Sequence, residues 1–364
     1  MVLDAVSDFL GLGGSAPPTV RRPVWEVTLG SGGAADWSPY LIAVVIEAGI
    51  APSVDSAEVY VAEANAPSVA LTDVGSLALG YEDSAAVPVF TGEVQGIQRG
   101  LHRVARVTLG NGGAKLAALR LMRSYEQQKA GDIVSDLAGE LSIDTDTIEN
   151  GAEFPFYLLD AGRSGMRHLA TLARQSDYLA YFTGEGKLNF LPYTPGTPVQ
   201  TFVYGQDIIT MRLHESVLGA GAVTVTGEGA AGGQGSEAWA WLVKDPASVQ
   251  GAAGSGTPAR TLSDSSLRSA DAAQAAAGGV ANAADQATLA GELLVPGAPA
   301  AMPGTTVEVK DAPHVGMNGK FLVRYVRHVY SKRTGFTSQL GVSKAGAGSG
   351  GLAGGLLDAI GGLL

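Results

Sequence analysis

Residues 293–342 read LLVPGAPAAMPGTTVEVKDAPHVGMNGKFLVRYVRHVYSKRTGFTSQLGV, three strand-like runs set between turn signals. Pro296-Gly297 and Met302-Pro303-Gly304 separate the first run from Thr305–Val309. Asn318-Gly319 opens the long third run, and Thr334-Gly335 interrupts it. Asn-Gly and other X-Gly pairs supply the positive φ angles that tight hairpins require. Strict alternation puts Phe321, Val323, Tyr325 and Val329 on one face of the third run. Leu322, Arg324, Val326, His328 and Tyr330 then take the other. Both faces mix apolar and polar groups, whereas a sheet with one wet face alternates more cleanly. Mixed faces suit a curved sheet that packs on its own chain inside and touches other subunits outside. Arg324, Tyr325, His328 and Phe336 are the candidate interface residues of these strands.

At 364 residues the chain is long enough for several domains with substantial cores. Hydrophobic residues make up 46% and charged residues 16%, yet no apolar run reaches the length of a membrane span. With 0 cysteines, disulfides, thiolate metal sites and a cysteine nucleophile are excluded. A net charge of -11 argues against a stable grip on nucleic acid, which needs clustered Lys and Arg. The 51 glycines go with many turns and a mainly β fold.

Several short strands fill residues 23–114, among them Leu41–Ile46, Ser56–Ala62, Leu77–Glu82 and Arg103–Leu109. Strands at this spacing predict a barrel or sandwich. The period changes over 115–198. Leu116, Leu119 and Met122 are helically spaced. Ile133, Val134, Leu137, Ala138 and Leu141 mark an amphipathic helix, and Ser164 caps a helix carrying Met166, Leu169 and Leu172. Tyr178–Phe182 and Lys187–Leu191 flank Thr183-Gly184-Glu185-Gly186 as a hairpin, so this part is an α/β insert. Strands return over 199–226. Trp239 and Trp241 share a strand face. An Ala-rich helix then runs from Leu267 to about Leu289, with Leu267, Ala270, Gln274, Ala277, Ala281, Ala284 and Leu289 along one side.

The chemistry-bearing motifs are weak. Gly227–Gly232 matches G-x-G-x-x-G after a strand, with Asp245 at the distance of a ribose-binding acid. More glycine follows where a helix should begin, so a hairpin loop is the better reading and no cofactor is called for. Glu93 lacks a second carboxylate, and acid–base work needs a positioned partner. No H-E-x-x-H, P-loop or G-x-S-x-G occurs, His102, His168, His214, His314 and His328 are scattered, and no catalytic or metal site is expected. Ala130–Ala138 resembles the opening of a LysM sugar-binding module, which leaves a cell-wall-binding or lytic tail protein as the alternative function.

G-x-x-V-E-V at Gly304–Val309, N-G-x-F-L-V-R-x-V-R-H-x-Y-S-K at Asn318–Lys332 and G-F-T-S-x-L at Gly335–Leu340 resemble the closing barrel of the phage late-control D proteins. This family is akin to the T4-type baseplate hub and to the hub-like half of type VI secretion spike proteins. P-V-F-T-G-E-V at Pro88–Val94 is similar to its first barrel. The likeness extends from about Trp25 to Val342. It implies two tube-like β-barrels per chain with a peripheral α/β insert, and a pseudo-sixfold ring when three chains assemble. The first barrel is then 23–114, completed by about 199–226. The insert is 115–198, and the second barrel 227–344 with the Ala-rich helix as a crossover. The implied function is structural: a baseplate hub in the virion tail, assembled in the host cytoplasm, joining a sixfold tube to a threefold spike. The implied partners are two further copies, a tube or tube-initiator protein, a spike protein and the tape-measure protein. The chain stops at Leu364, so the spike is expected to be a separate protein.

Both ends fall outside the likeness. Residues 1–22 form an N-terminal arm, with Leu3, Val6, Phe9 and Leu10 on one helical face. Residues 345–364 are a Gly-rich linker and an apolar tail, in which Leu352, Leu356, Leu357 and Ile360 line one helical side as a partner-docking stripe. Stable membrane binding is not expected, because that stripe lacks basic residues.

Overall fold

The computed structural model describes residues 21–30, 35–216, 221–227 and 246–346. Residues 1–20 of the N-terminal arm, residues 228–245 with Trp239 and Trp241, and the tail stripe lie outside the described residues. The first strands are β1 Pro23–Gly30, β2 Ala35–Asp36, β3 Leu41–Gly49, β4 Ser56–Ala62, β5 Val74–Tyr81, β6 Val87–Arg99 and β7 Val104–Gly110. The middle holds α1 Gly112–Ala118, β8 Arg123–Lys129, α2 Ala130–Glu140, β9 Thr145–Ile148, β10 Glu153–Leu159, α3 Gly165–Ser176, β11 Tyr178–Phe182 and β12 Leu188–Pro192. There follow β13 Gln200–Val203, β14 Thr210–Glu215, β15 Val223–Gly227, β16 Gln250–Ala253, β17 Arg260–Asp264 and α4 Ala270–Ala287. The chain closes with β18 Leu289–Pro296, β19 Thr306–Lys310, β20 Gly319–Ser331 and β21 Gly335–Lys344.

The fold is mainly β, and its largest sheet runs through 13 strands. The first seven strands contribute the path β3-β4-β7-β6-β5-β1-β2, and the late strands contribute β14-β18-β21-β20. The halves meet where β20 pairs antiparallel with β3, from Tyr325↔Gly49 to Ser331↔Ala43. Each half keeps its own core. One gathers Leu29, Trp37, Leu41, Leu77 and Leu109, the other Phe202, Leu293, Val307, Phe321 and Leu340. Among the described residues no pairing closes either half on itself.

Residues 199–226, expected to complete the first β unit, pair elsewhere. Strand β13 runs parallel to β19, β14 pairs with β18, and β15 forms a small sheet with β16 and β17. That small sheet and α4 share the core of the insert, where Val223, Val225, Leu267 and Ala277 join Phe154, Leu172 and Phe190. Glycine permits the approach: a Cβ on Gly251 would meet the backbone of Ala273, and one on Gly227 the backbone of Leu267. The buried side of α4 is Ala272, Ala273, Ala276 and Ala277, while Ala270 and Gln274 face solvent. Alanine gives too little hydropathic contrast to fix the phase of a helix. Helix α1 ends at Ala118, short of Leu119 and Met122.

Two caps follow from local chemistry. Ser164 Oγ accepts from Arg167 N at 3.3 Å and starts α3. Asn111 Oδ1 accepts from Gly113 N at 2.9 Å and starts α1, while its Nδ2 donates to Asp55 Oδ2 at 2.9 Å. Asp55 Oδ1 accepts from Gly49 N at 2.9 Å, so this buried carboxyl ties the end of β3 to α1. Burial pushes its pKa up to about 7, against the pull of the two hydrogen bonds.

Candidate functional site

The bulge in β20 decides where the candidate interface residues sit. The register against β21 shifts between Val323 and Tyr325, which leaves Arg324 out of that ladder. Phe321 and Val323 before the bulge and Val326 after it therefore enter the same core, although plain alternation puts Val326 opposite. His328 and Phe336, expected at a partner surface, are 0% and 5% exposed. Phe336 lies beside Tyr81, with ring centroids 5.9 Å apart, and His328 lies 5.8 Å from Phe336. Both side chains belong to the interior because the sheet face they share is covered: Phe336 packs in the core with Tyr81 and Tyr330, and His328 packs against Phe336. Ser338 Oγ accepts from Ala298 N at 2.8 Å and lies 2.8 Å from His328 Nδ1, while Nε2 is buried without a partner. Burial lowers the His328 pKa to about 3, so the ring is neutral. Tyr325 is partly exposed beside Gly49, and burial, then Glu47, raise its phenol to about 12.

Arg324 stays accessible. Its Nη1 donates to Gln286 Oε1 at 3.1 Å across a cleft of about 620 Å³ between α3, α4 and the β20–β3 seam. Three more arginines line the cleft: Arg163, Arg167 and Arg174. Arg167 and Arg174 project from the exposed side of α3, whose other side buries Met166, Leu169 and Leu172. Arg163 pairs loosely with Asp160 at 3.6 Å. Among the described residues Arg167 and Arg174 make no ion pair, and Asp177 is the one acid on the lining. Burial raises the Asp177 pKa, and Asn282 Nδ2 donates to its Oδ2 at 2.6 Å.

A second, polar hollow adjoins the cleft and shares Arg163, Thr171 and Arg174 with it. Gln175, 2% exposed, donates to Asp264 Oδ2 at 2.8 Å and to Ser266 Oγ at 2.7 Å, while its Oε1 has no partner. Burial opposes ionisation of Asp264, but hydrogen bonds from Ser266 and Gln175 and the field of Arg174 outweigh it and lower the pKa. Glu93 is a salt-bridge partner: Lys115 Nζ lies 2.8 Å from its Oε1. Among the described residues no group of three His, Asp or Glu side chains is placed to hold a metal ion. Helix α2, the stretch that resembles LysM, packs into the insert core through Ile133, Val134 and Leu137.

The sequence reading missed the arginine cleft. Its signal was present, since Arg163, Arg167 and Arg174 stand four and eleven residues apart in a chain with more acids than bases. Such spacing returns to one helical face. The reading followed only the apolar face of that helix, and the bulge that brings Arg324 to join them leaves no mark in hydropathy.

No protein-family model matches the sequence, and no curated protein matches it. Solved structures do. The 43 kDa tail protein of prophage MuSo2 from Shewanella oneidensis is 14% identical, with 89% of this chain and 100% of that chain covered and a TM-score of 0.65. A tail protein from Neisseria meningitidis MC58 is 15% identical over 89% of this chain and 97% of that one, with a TM-score of 0.62. An E. coli component of the type VI secretion system, itself described as similar to T4 bacteriophage tail proteins gp27 and gp5, is 13% identical. There 87% of this chain and 76% of that one are covered, at a TM-score of 0.55. At identities this low the likeness is one of architecture, and the chain has the fold of phage tail proteins and of hub-like type VI secretion components.

Proposed function

We propose that this protein is the structural baseplate hub of a contractile phage tail or related injection system. In this reading it has no catalytic role and resides in the virion tail. The observation that carries the reading is the pair of β units within one chain, each with its own core and joined at the β20–β3 seam. Three chains then present six related units to a sixfold tube and three whole chains to a threefold spike. A closed symmetric interface repeats one patch at every copy, so a sixfold-to-threefold junction needs such an adaptor. Each unit acts as a barrel-like wall element, with the insert at the periphery. The fold shared with tail proteins supports the setting. The pairing of Glu93 with Lys115 supports the absence of hydrolysis. Tube, spike and tape-measure proteins are the partners, and the acidic balance lets DNA pass without being held.

Copy number in the assembled tail tests this. Native mass spectrometry or electron microscopy of purified baseplates should count three copies around a channel; any other number per ring removes the hub reading. The tail has its own test. Leu352, Leu356, Leu357 and Ile360 are proposed to seat in a partner groove, at roughly 1.5–3 kcal/mol per fully buried side chain. Truncation after Lys344 is expected to leave the thermal midpoint unchanged and to reduce co-assembly with tube and spike. Normal co-assembly of the shortened chain rules the stripe out.

A further inference from the structure

We propose that the arginine cleft receives the acidic β9 edge of a second copy of this chain, so that neighbours in the ring join head to tail. The inference rests on the ring reading and names the contact that closes it. The three-stranded sheet of the insert has the order β11-β12-β9. Tyr178, Leu179 and Ala180 of β11 line the cleft at one edge. At the opposite edge β9 pairs with β12 alone; Asp146 lies within it, and Asp144 and Glu149 flank it, all three exposed. Among the described residues none of these three makes an ion pair. Lys187, whose field reaches Asp144 and Asp146, is held by Glu185 at 2.7 Å.

The surfaces match in charge and in reach. Asp146 in β9 to Glu149 just past its end spans about 10 Å at 3.3 Å per residue of extended chain. Arg167 to Arg174 spans about 10 Å at 1.5 Å per residue of α3, and Arg163 precedes the helix. Two copies of a chain with a net charge of -11 repel each other at distance, so self-association needs a concentrated basic receptor. Arg167 and Arg174, which make no ion pair among the described residues although Arg174 lies in the field of Asp264, provide it, and Arg324 on the opposite wall adds a third cation. Because donor and receptor are different surfaces of the chain, the contact is heterologous. A heterologous contact makes rings when the rotation closes.

The chain contains 0 cysteines, so introduced thiols report without background. Arg167→Cys in one full-length chain and Asp146→Cys in another should cross-link to each other under oxidation or a short bis-maleimide, while neither links to itself. In analytical ultracentrifugation, Arg167→Glu with Arg174→Glu should weaken self-association roughly tenfold or more. Adding Asp146→Arg and Glu149→Arg to that chain should restore it. Arg167→Ala with Arg174→Ala, both at exposed positions, serves as the folding control by thermal melt. A self-associating chain that ignores the reversal overturns this contact and leaves the ring to be judged by copy number in tails. A reversal that abolishes binding to tube or spike but not to itself assigns the cleft to a foreign acidic partner and also overturns it. A wild-type chain that stays monomeric at every concentration overturns it too, whatever the tail stoichiometry shows.

Discussion

Phe336→Ala is expected to lower stability by about 3–5 kcal/mol, the usual range for deleting a buried phenylalanine. The ring belongs to β21 in the late half of the chain, yet it sits in the core of the early half with Tyr81 and Tyr330. It also fills the space over Gly297, where a Cβ would strike the ring. Removing it opens a cavity between the halves, and neighbours already paired on both edges of β20 cannot collapse to fill it. Chemical denaturation of the purified chain measures the loss. The discriminating comparison is with Phe336→Leu, which keeps most of the volume and should cost a smaller share. If both variants melt like wild type and only assembly suffers, Phe336 is an interface residue after all.

The second large effect is a pH dependence hidden by compensation. The His328 pKa is lowered from 6.5 to about 3 by burial alone. A depressed pKa gives stability that is present above about 6.5 and is lost as pH falls toward 3. Asp55 has the opposite sign, because burial raises its pKa from 3.8 to about 7. Its contribution is full below about 3.8 and is lost as pH rises through 7. Between pH 4 and 6.5 the two slopes oppose each other. Either group alone amounts to on the order of 4–5 kcal/mol at most across its window, by 1.36 kcal/mol per pKa unit. Asp55→Asn should leave the histidine slope, with stability rising as pH rises. His328→Leu should leave the aspartate slope, with stability falling over the same interval. Denaturant titrations at four or five pH values read the slopes, which are informative even though Asp55→Asn also disturbs the contact with Asn111. Parallel profiles for wild type and both variants would refute the assignment.

The β character, the hairpins around Gly335 and the capped α3 helix were legible because each is written locally, in turn residues, alternation and Ser164. The pairing of 199–226 was not. Strands β13 and β14 are short and mixed in pattern, and choosing β19 and β18 as partners depends on contacts about a hundred residues away. The phase of α4 was lost in alanine, where the docking of Gly251 and Gly279 against backbone sets the buried side. Of the candidate interface residues, His328 is buried because the bulge at Arg324 turns the following side chains of β20 inward, and a single extra residue does not show in a periodicity of two; Phe336, on β21, is buried by packing against Tyr81 and His328. Of the four candidates on these two strands, Arg324, at the bulge itself, and Tyr325 beside it keep contact with solvent.

The seam between β3 and β20 also sets a timetable for synthesis. Glu47 and its partner Arg327 are 280 residues apart. At roughly 5–20 residues per second, β3 waits about 15 seconds to a minute on the ribosome before β20 emerges. Throughout that wait the early strands hold an open hydrogen-bonding edge. The β20 of a neighbouring chain, finished a little sooner on the same message, is a perfect substitute for the one still to come. The central strand pair therefore carries a built-in route to exchange between chains made side by side on one transcript.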